Sequence, residues 1–258
     1  MNHLLRPLPF LLLITACANK GGGDRTLSVH IGGGAGRTCY FEKFANNKPT
    51  PVDSIVLDAD GKGTFTLGIM PLDFYGVAIT QQDMAVIVLD STESAELEAT
   101  AGDLQGTAKV SGSAHSKLLY DFFAESKRFD MEKQELMKRV NADRSDTDAI
   151  ERINKLNEAF YARCKAFSLE HKASPVALAA VSRLNIQNDM PVFQEVRDAL
   201  AGTIPNSEYF IGFRDQVARM EQQLAAMKAQ KKQIARLDNL IPVGSEAPDF
   251  TQPTPDNK

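Results

Sequence analysis

The 258-residue chain contains no tryptophan, and only 7% of its residues are aromatic. One common flat anchor for stacking sugars and bases is therefore missing. Its three cysteines, Cys17, Cys39 and Cys164, lie far apart, so there is no C-x-x-C pair for redox exchange or zinc. The four histidines, His3, His30, His115 and His171, never fall at H-x-x-x-H spacing or beside a cysteine. A metal site is unsupported, and no cofactor is expected. Basic charge is also scarce: Lys+Arg total 29 against Asp+Glu 33, a net charge of −4. Such a balance leaves no global basic surplus to hold a nucleic-acid backbone, so nucleic acid is not expected as a partner. Neither a G-x-S-x-G elbow nor an S-x-x-K pair occurs, which removes the serine-hydrolase signatures. No apolar run approaches the ~20 residues a membrane-spanning helix needs.

What is present is ordinary in bulk and distinctive at the ends. Hydrophobic residues make up 43% and charged residues 24%, as in a globular chain of one or two domains. Residues 1–17 read MNHLLRPLPFLLLITAC. Arg6 and the amino terminus supply positive charge, and a short apolar run follows from Leu8 to Ile14, broken only by Pro9. That is the size and flank of a secretory signal core. The segment closes Leu13-Ile14-Thr15-Ala16-Cys17, which resembles the bacterial lipobox. Small side chains there admit the backbone to the peptidase, and the thiol takes a diacylglycerol. The resemblance implies a lipoprotein signal peptide over 1–17 and a chain anchored to the lipid bilayer through acylated Cys17. Residues 18–25 follow with three consecutive glycines and read as a flexible tether. No acidic cluster of the kind seen in surface-sorting signals adjoins Cys17, so the resemblance to lipoprotein sorting signals implies a periplasm-facing lipoprotein of the outer membrane or cell envelope rather than surface display.

Between the ends, the hydrophobic period changes once. Over 26–113 it alternates: Thr26–Ile31, Val52–Leu57, Thr64–Leu67, Phe74–Thr80, Met84–Leu89 and Ala95–Ala99 read as strands separated by turn clusters. Over 114–240 the spacing becomes helical. Leu118, Leu119, Phe122 and Phe123 share a face. A second helix starts near Ser145 or Asp146, a third at Ser174-Pro175, and a fourth runs from Pro191 to Gly202. The last runs from Ser207 to about Asn239, with Phe213, Val217, Met220, Leu224, Met227 and Ile234 close to a heptad seam. The fold class expected is α+β: an antiparallel β sandwich or barrel-like domain, then an all-α domain or spacer. The strand half is acidic, with 7 Lys+Arg against 12 Asp+Glu over 18–115, while 116–241 holds 20 against 18.

Three local patterns carry less than they first suggest. Gly32-Gly33-Gly34-Ala35-Gly36-Arg37-Thr38 lacks the Gly-Lys-Ser/Thr ending of a phosphate loop and reads as a glycine hairpin. Asp58-Ala59-Asp60-Gly61-Lys62 has lysine at the third ligand position of a calcium loop and reads as a tight Asp/Gly turn. Lys228, Lys231, Lys232 and Arg236 form a solvated basic face near a helix end. Cys39 and Cys164, one in each half, either bridge the halves in an oxidising compartment or sit as isolated buried thiols.

The final stretch, Val243-Gly244-Ser245-Glu246-Ala247-Pro248-Asp249-Phe250, looks like the lead-in of thioredoxin-fold modules of the TlpA/ResA and peroxiredoxin (AhpC/TSA) kinds. There it precedes a first strand and a turn that Pro255-Asp256-Asn257-Lys258 resembles, although Gln252 stands where leucine is usual. With the lipobox, the Asp53–Phe65 hairpin pattern and the Val110-Ser111-Gly112-Ser113 exit into a helix, the chain resembles the lipoprotein thiol-disulfide oxidoreductases of Bacteroidetes. In that family, chemistry belongs to a Trp-Cys-x-x-Cys domain that would follow 241–258, a linker and domain start. The resemblance implies a non-catalytic, partner-positioning portion of such an enzyme, with periplasmic redox proteins as partners and no catalytic residue in this chain. Two alternatives remain: a stand-alone periplasmic binding lipoprotein, and a redox enzyme acting through Cys39 and Cys164.

Overall fold

The computed structural model describes residues 25–45, 48–238 and Gly244. Cys17, residues 18–24 of the tether and the stretch carrying Ala247–Phe250 lie outside the described residues. The architecture is α+β, with a strand region first and helices after it. Among the described residues, eight strands form two four-stranded sheets. One has the order β4-β1-β7-β8 and the other β3-β2-β5-β6. In chain order the strands are β1 Arg25–Gly32, β2 Thr38–Ala45, β3 Lys48–Val56, β4 Lys62–Leu67, β5 Asp73–Thr80, β6 Asp83–Leu89, β7 Ala95–Thr100 and β8 Lys109–Ser111.

Alternation in the sequence places alternate side chains between the sheets. Leu27, Val29 and Ile31 of β1, Phe65 and Leu67 of β4, and Ala95, Leu97 and Ala99 of β7 face inward from the first sheet. Phe41, Tyr75, Val77, Ile79, Ala85, Ile87 and Leu89 meet them from the second. Phe41 stacks on Tyr75 with ring centroids 5.2 Å apart. The result is a sandwich with its own core.

One expectation needs correction, and one pairing departs from the general pattern. The sheets are mostly antiparallel, as expected, but β7, returning to the first sheet after β5 and β6 of the second, lies parallel to β1. The glycine run does not close a hairpin, since β1 and β2 belong to different sheets. It is a corner between the layers. Gly34 N donates to Ile31 O at 2.9 Å and Gly36 N to Leu57 O at 3.1 Å. A Cβ on Gly34 would lie 2.8 Å from Leu57 Cδ1, so the corner closes only around glycine. The Asp58 turn is also a crossing between sheets. Asp58 Oδ1 accepts from Asp60 N at 2.9 Å and Lys62 N at 2.8 Å. The Lys62 amide bond, above all, holds this exposed carboxyl below its ordinary range.

The helices are α1 Leu104–Thr107, α2 Ala114–Ala142, α3 Thr147–Glu170, α4 Ala177–Val181, α5 Met190–Leu200 and α6 Glu208–Asp238. Ser113 caps α2 and Asp146 caps α3, each side chain accepting a backbone N–H of the first turn. Pro191 stands at the start of α5. The helix expected from Ser174-Pro175 begins only at Ala177; Ser174 Oγ instead accepts Val176 N at 3.3 Å in the preceding turn. Buried Phe122, Phe167, Val181, Phe193, Val196, Leu200 and Phe213 form a second core, distinct from that of the sandwich. The seam of α6 is only half used. Phe210, Phe213 and Val217 are buried, whereas Met227 and Ile234 are exposed, and every residue from 225 to 236 faces solvent.

Candidate functional site

A group of side-chain-to-backbone hydrogen bonds lies where the sandwich meets the helices. β6 is an edge strand, and such an edge would ordinarily present bare backbone groups. Here side chains occupy it. Val86 N donates to Gln105 Oε1 at 2.8 Å. Val88 N donates to Ser116 Oγ at 2.9 Å, and Val88 O accepts from Ser113 Oγ at 2.9 Å and Ser116 Oγ at 2.8 Å. Ser113 thus caps α2 and fastens it to the sheet with the same hydroxyl. On the neighbouring strand, Asp73 Oδ1 accepts from Ser207 Oγ at 2.7 Å, tying β5 to the start of α6. Burial raises the Asp73 pKa, opposed by the bonds from Ser207 and the Phe74 amide. Phe44 and Phe74 flank Tyr209 at 5.2 and 4.9 Å, so the outer face of the second sheet becomes part of the helical core. Sequence reasoning missed these residues as a group. The Ser-x-x-Ser at 113–116 was its one local trace.

The thiols do not meet. Cys39 is buried in the sandwich core and Cys164 in the helical core, and both are free. Burial pushes the Cys39 thiol up to about 12 and the Cys164 thiol up to about 11. A redox cysteine needs the opposite, a depressed pKa and access to its partner. Of the two sequence alternatives, the geometry is that of isolated buried thiols.

Other buried polar groups serve packing. Asp189 is buried and receives Lys165 Nζ at 3.0 Å and the Tyr161 hydroxyl, which joins α3 to the start of α5. His115 Nδ1 lies 2.8 Å from Ser174 Oγ, linking α2 to the turn before α4. Glu42 is buried with Oε2 unpartnered, and burial raises its pKa. Among the described residues, no group of three or more His, Cys, Asp or Glu is arranged to hold a metal ion. No helix among them is long and apolar enough to cross a membrane.

Among the recesses formed by the described residues, two mainly apolar ones are of similar size. One, of about 360 Å³, lies among α4, α5 and α6, with Leu178, Val181, Phe193 and Phe213 in its walls and Ser182, Glu208 and Gln216 also lining it. The other, of about 350 Å³, opens between the sheets beside the loop from β4 to β5. Phe41, Tyr75, Leu67, Met70 and Val52 line it together with Lys43 and Asp53.

Compared with protein families, curated proteins and solved structures, the chain matches none.

Proposed function

We propose that the chain is the membrane-anchored, non-catalytic portion of a periplasmic thiol-disulfide oxidoreductase, positioning a thioredoxin-fold module or its redox partners at a distance from the bilayer. The lipobox-like Leu13–Cys17 supports the anchor, and Val243–Phe250 supports the kinship. The observation that carries the reading is the joint and what leaves it. The sandwich is fastened to the helices through Ser113, Ser116 and Ser207. α6 starts at that joint, is exposed on every side over 225–236, and in the sequence precedes the segment that bears the thioredoxin-fold resemblance. Those twelve residues extend the helix by about 18 Å at 1.5 Å per residue. A packed body with a bare helical arm suits a spacer, and its thiols are buried with raised pKa values.

The test is made on the full chain in a Gram-negative envelope. It should fractionate with membranes, and Cys17→Ser should release it to the soluble fraction. It should not reduce insulin, and a photo-crosslinker at Met227 should capture a thioredoxin-fold protein. Insulin turnover abolished by Cys39→Ser or Cys164→Ser would overturn the reading.

A second reading, a stand-alone binding lipoprotein, is favoured by the recess of about 360 Å³ among α4, α5 and α6, whose size suits a small apolar ligand. A defined small molecule co-purifying with the chain, and lost in Val181→Trp, would select it.

A further inference from the structure

Among the described residues, two of the sandwich's three exposed large hydrophobic residues, Val52 and Ile69, lie at the end where β1 begins. Arg25 pairs with Leu67 in the antiparallel β1–β4 ladder. Arg25, where β1 begins, therefore lies beside the start of the Gly68–Ile69 turn. Ile69 is fully exposed, and Val52 on the facing edge strand is more than half exposed. Pro51 and Pro71 are exposed beside them, and Met70 is half-buried. These residues rim the recess between the sheets. Apolar side chains scattered singly on a surface need no explanation, but a contiguous rim around an apolar recess does.

The charges at this end are mixed. Lys43 and Asp53 both line the recess. Arg25 Nε donates to Thr92 O at 3.1 Å, and Asp90 Oδ1 accepts from Thr92 N at 2.6 Å. Glu93 lies in the same loop and accepts from Ala114 N at 3.3 Å. The surface thus offers apolar contact without a single-sign field.

Cys17 precedes Arg25 by eight residues, so its reach from that point is at most about 29 Å. A lipid on Cys17 confines this end of the sandwich to the neighbourhood of the bilayer. We propose that the Val52–Ile69–Met70 rim is a docking surface for the membrane to which the chain is tethered, with Ile69 entering the interfacial layer. This rests on the anchored reading above. Docked in this way, the sandwich is oriented on the bilayer, not merely held near it.

The absence of tryptophan makes the test clean, because an indole introduced by Ile69→Trp is the only one in the protein. The full chain carrying Ile69→Trp, and a control carrying Met131→Trp on exposed α2, are isolated from the envelope. Both are reconstituted in phosphatidylcholine vesicles containing brominated lipid. A parallel sample, produced in the cytosol without residues 1–16 so that Cys17 is not lipidated, is coupled through the free Cys17 thiol to a maleimide lipid, Cys39 and Cys164 being buried. The mass of the Cys17 peptide is measured separately.

Docking predicts a blue-shifted, bromine-quenched indole at position 69 in the coupled sample and an unshifted, unquenched one at 131. Adding salt should not reverse the quenching. Quenching in the coupled sample with an unmodified Cys17 peptide from the envelope would sink the lipoprotein reading and leave the docking surface standing. An unquenched indole at 69 in the coupled sample overturns the docking surface. So does a blue shift without quenching, which reports burial against a second copy of the chain.

Discussion

The Ser116 hydroxyl on α2 holds both backbone polar atoms of Val88 on β6, accepting from its N–H at 2.9 Å and donating to its C=O at 2.8 Å. One small side chain thereby closes an edge strand and joins the two cores. Ser116→Ala should leave the buried Val88 N–H unpaired and cost about 1–3 kcal/mol in urea denaturation. Ser113→Ala leaves Val88 O with its Ser116 bond but removes the α2 cap, so about 1 kcal/mol is expected. Equal, negligible losses would mean the joint does not depend on these hydroxyls.

The corner glycines offer a paired test. Gly36 and Gly61 both have positive φ, at 71° and 75°. Nothing lies within 4 Å of a Cβ built on Gly36, whereas one on Gly61 would sit 2.3 Å from Ile31 O. Gly36→Ala should therefore cost about 1–2 kcal/mol from backbone strain alone. Gly61→Ala should cost roughly 1–3 kcal/mol more, because the Ile31 carbonyl must move. Thermal melts of the two variants that coincide would contradict the packing at this corner.

Buried thiols make a prediction about alkaline pH. In the unfolded chain a cysteine ionises near pH ~8.5, but Cys39 and Cys164 are pushed up to about 12 and about 11 in the fold. The folded state keeps its protons longer. Stability should therefore fall as pH rises above ~8.5, by about 1.4 kcal/mol per pH unit for each thiol until its folded pKa is passed. Cys39→Ala and Cys164→Ala should each flatten that slope, whatever they cost at neutral pH. Ellman's reagent should find neither thiol in the folded protein and both in denaturant.

Asp73 should act at the acid end with the same sign. Its folded pKa lies above the unfolded value near ~3.9, chiefly through burial. The neutral carboxyl is favoured in the fold, so its contribution is fully present below the unfolded pKa and is lost as pH rises through the folded one. Asp73→Asn keeps an acceptor for Ser207 and removes the titration. Its stability relative to wild type should improve between pH 3 and pH 7, values chosen to bracket the ordinary carboxylate range of ~3.9–4.3. A flat or falling difference would contradict the assignment.

Much of the fold was legible because local periods report which face is buried. The alternation Leu27-Val29-Ile31 and the helical spacing of Leu119 and Phe122 each point at a core, and the structure buries them. Pairing partners were not legible. Nothing near Thr26–Ile31 says that its neighbour is Ala95–Thr100 in parallel, or that the glycine run turns between sheets. The α6 seam shows the same limit: Phe213 and Val217 are buried, whereas Met227 and Ile234, in the same register, are exposed. A hydrophobic period marks a face without naming what covers it. The joint was the least legible, since serines 113, 116 and 207 are common residues whose partners are backbone atoms or carboxylates distant in sequence.

The measurement that bears most directly on the account is the mass of the amino-terminal peptide of the full chain isolated from a Gram-negative envelope. A first residue Cys17 carrying a diacylglyceryl thioether and an acylated amine is the predicted result. A peptide that begins at Met1, or one with an unmodified Cys17, would contradict it.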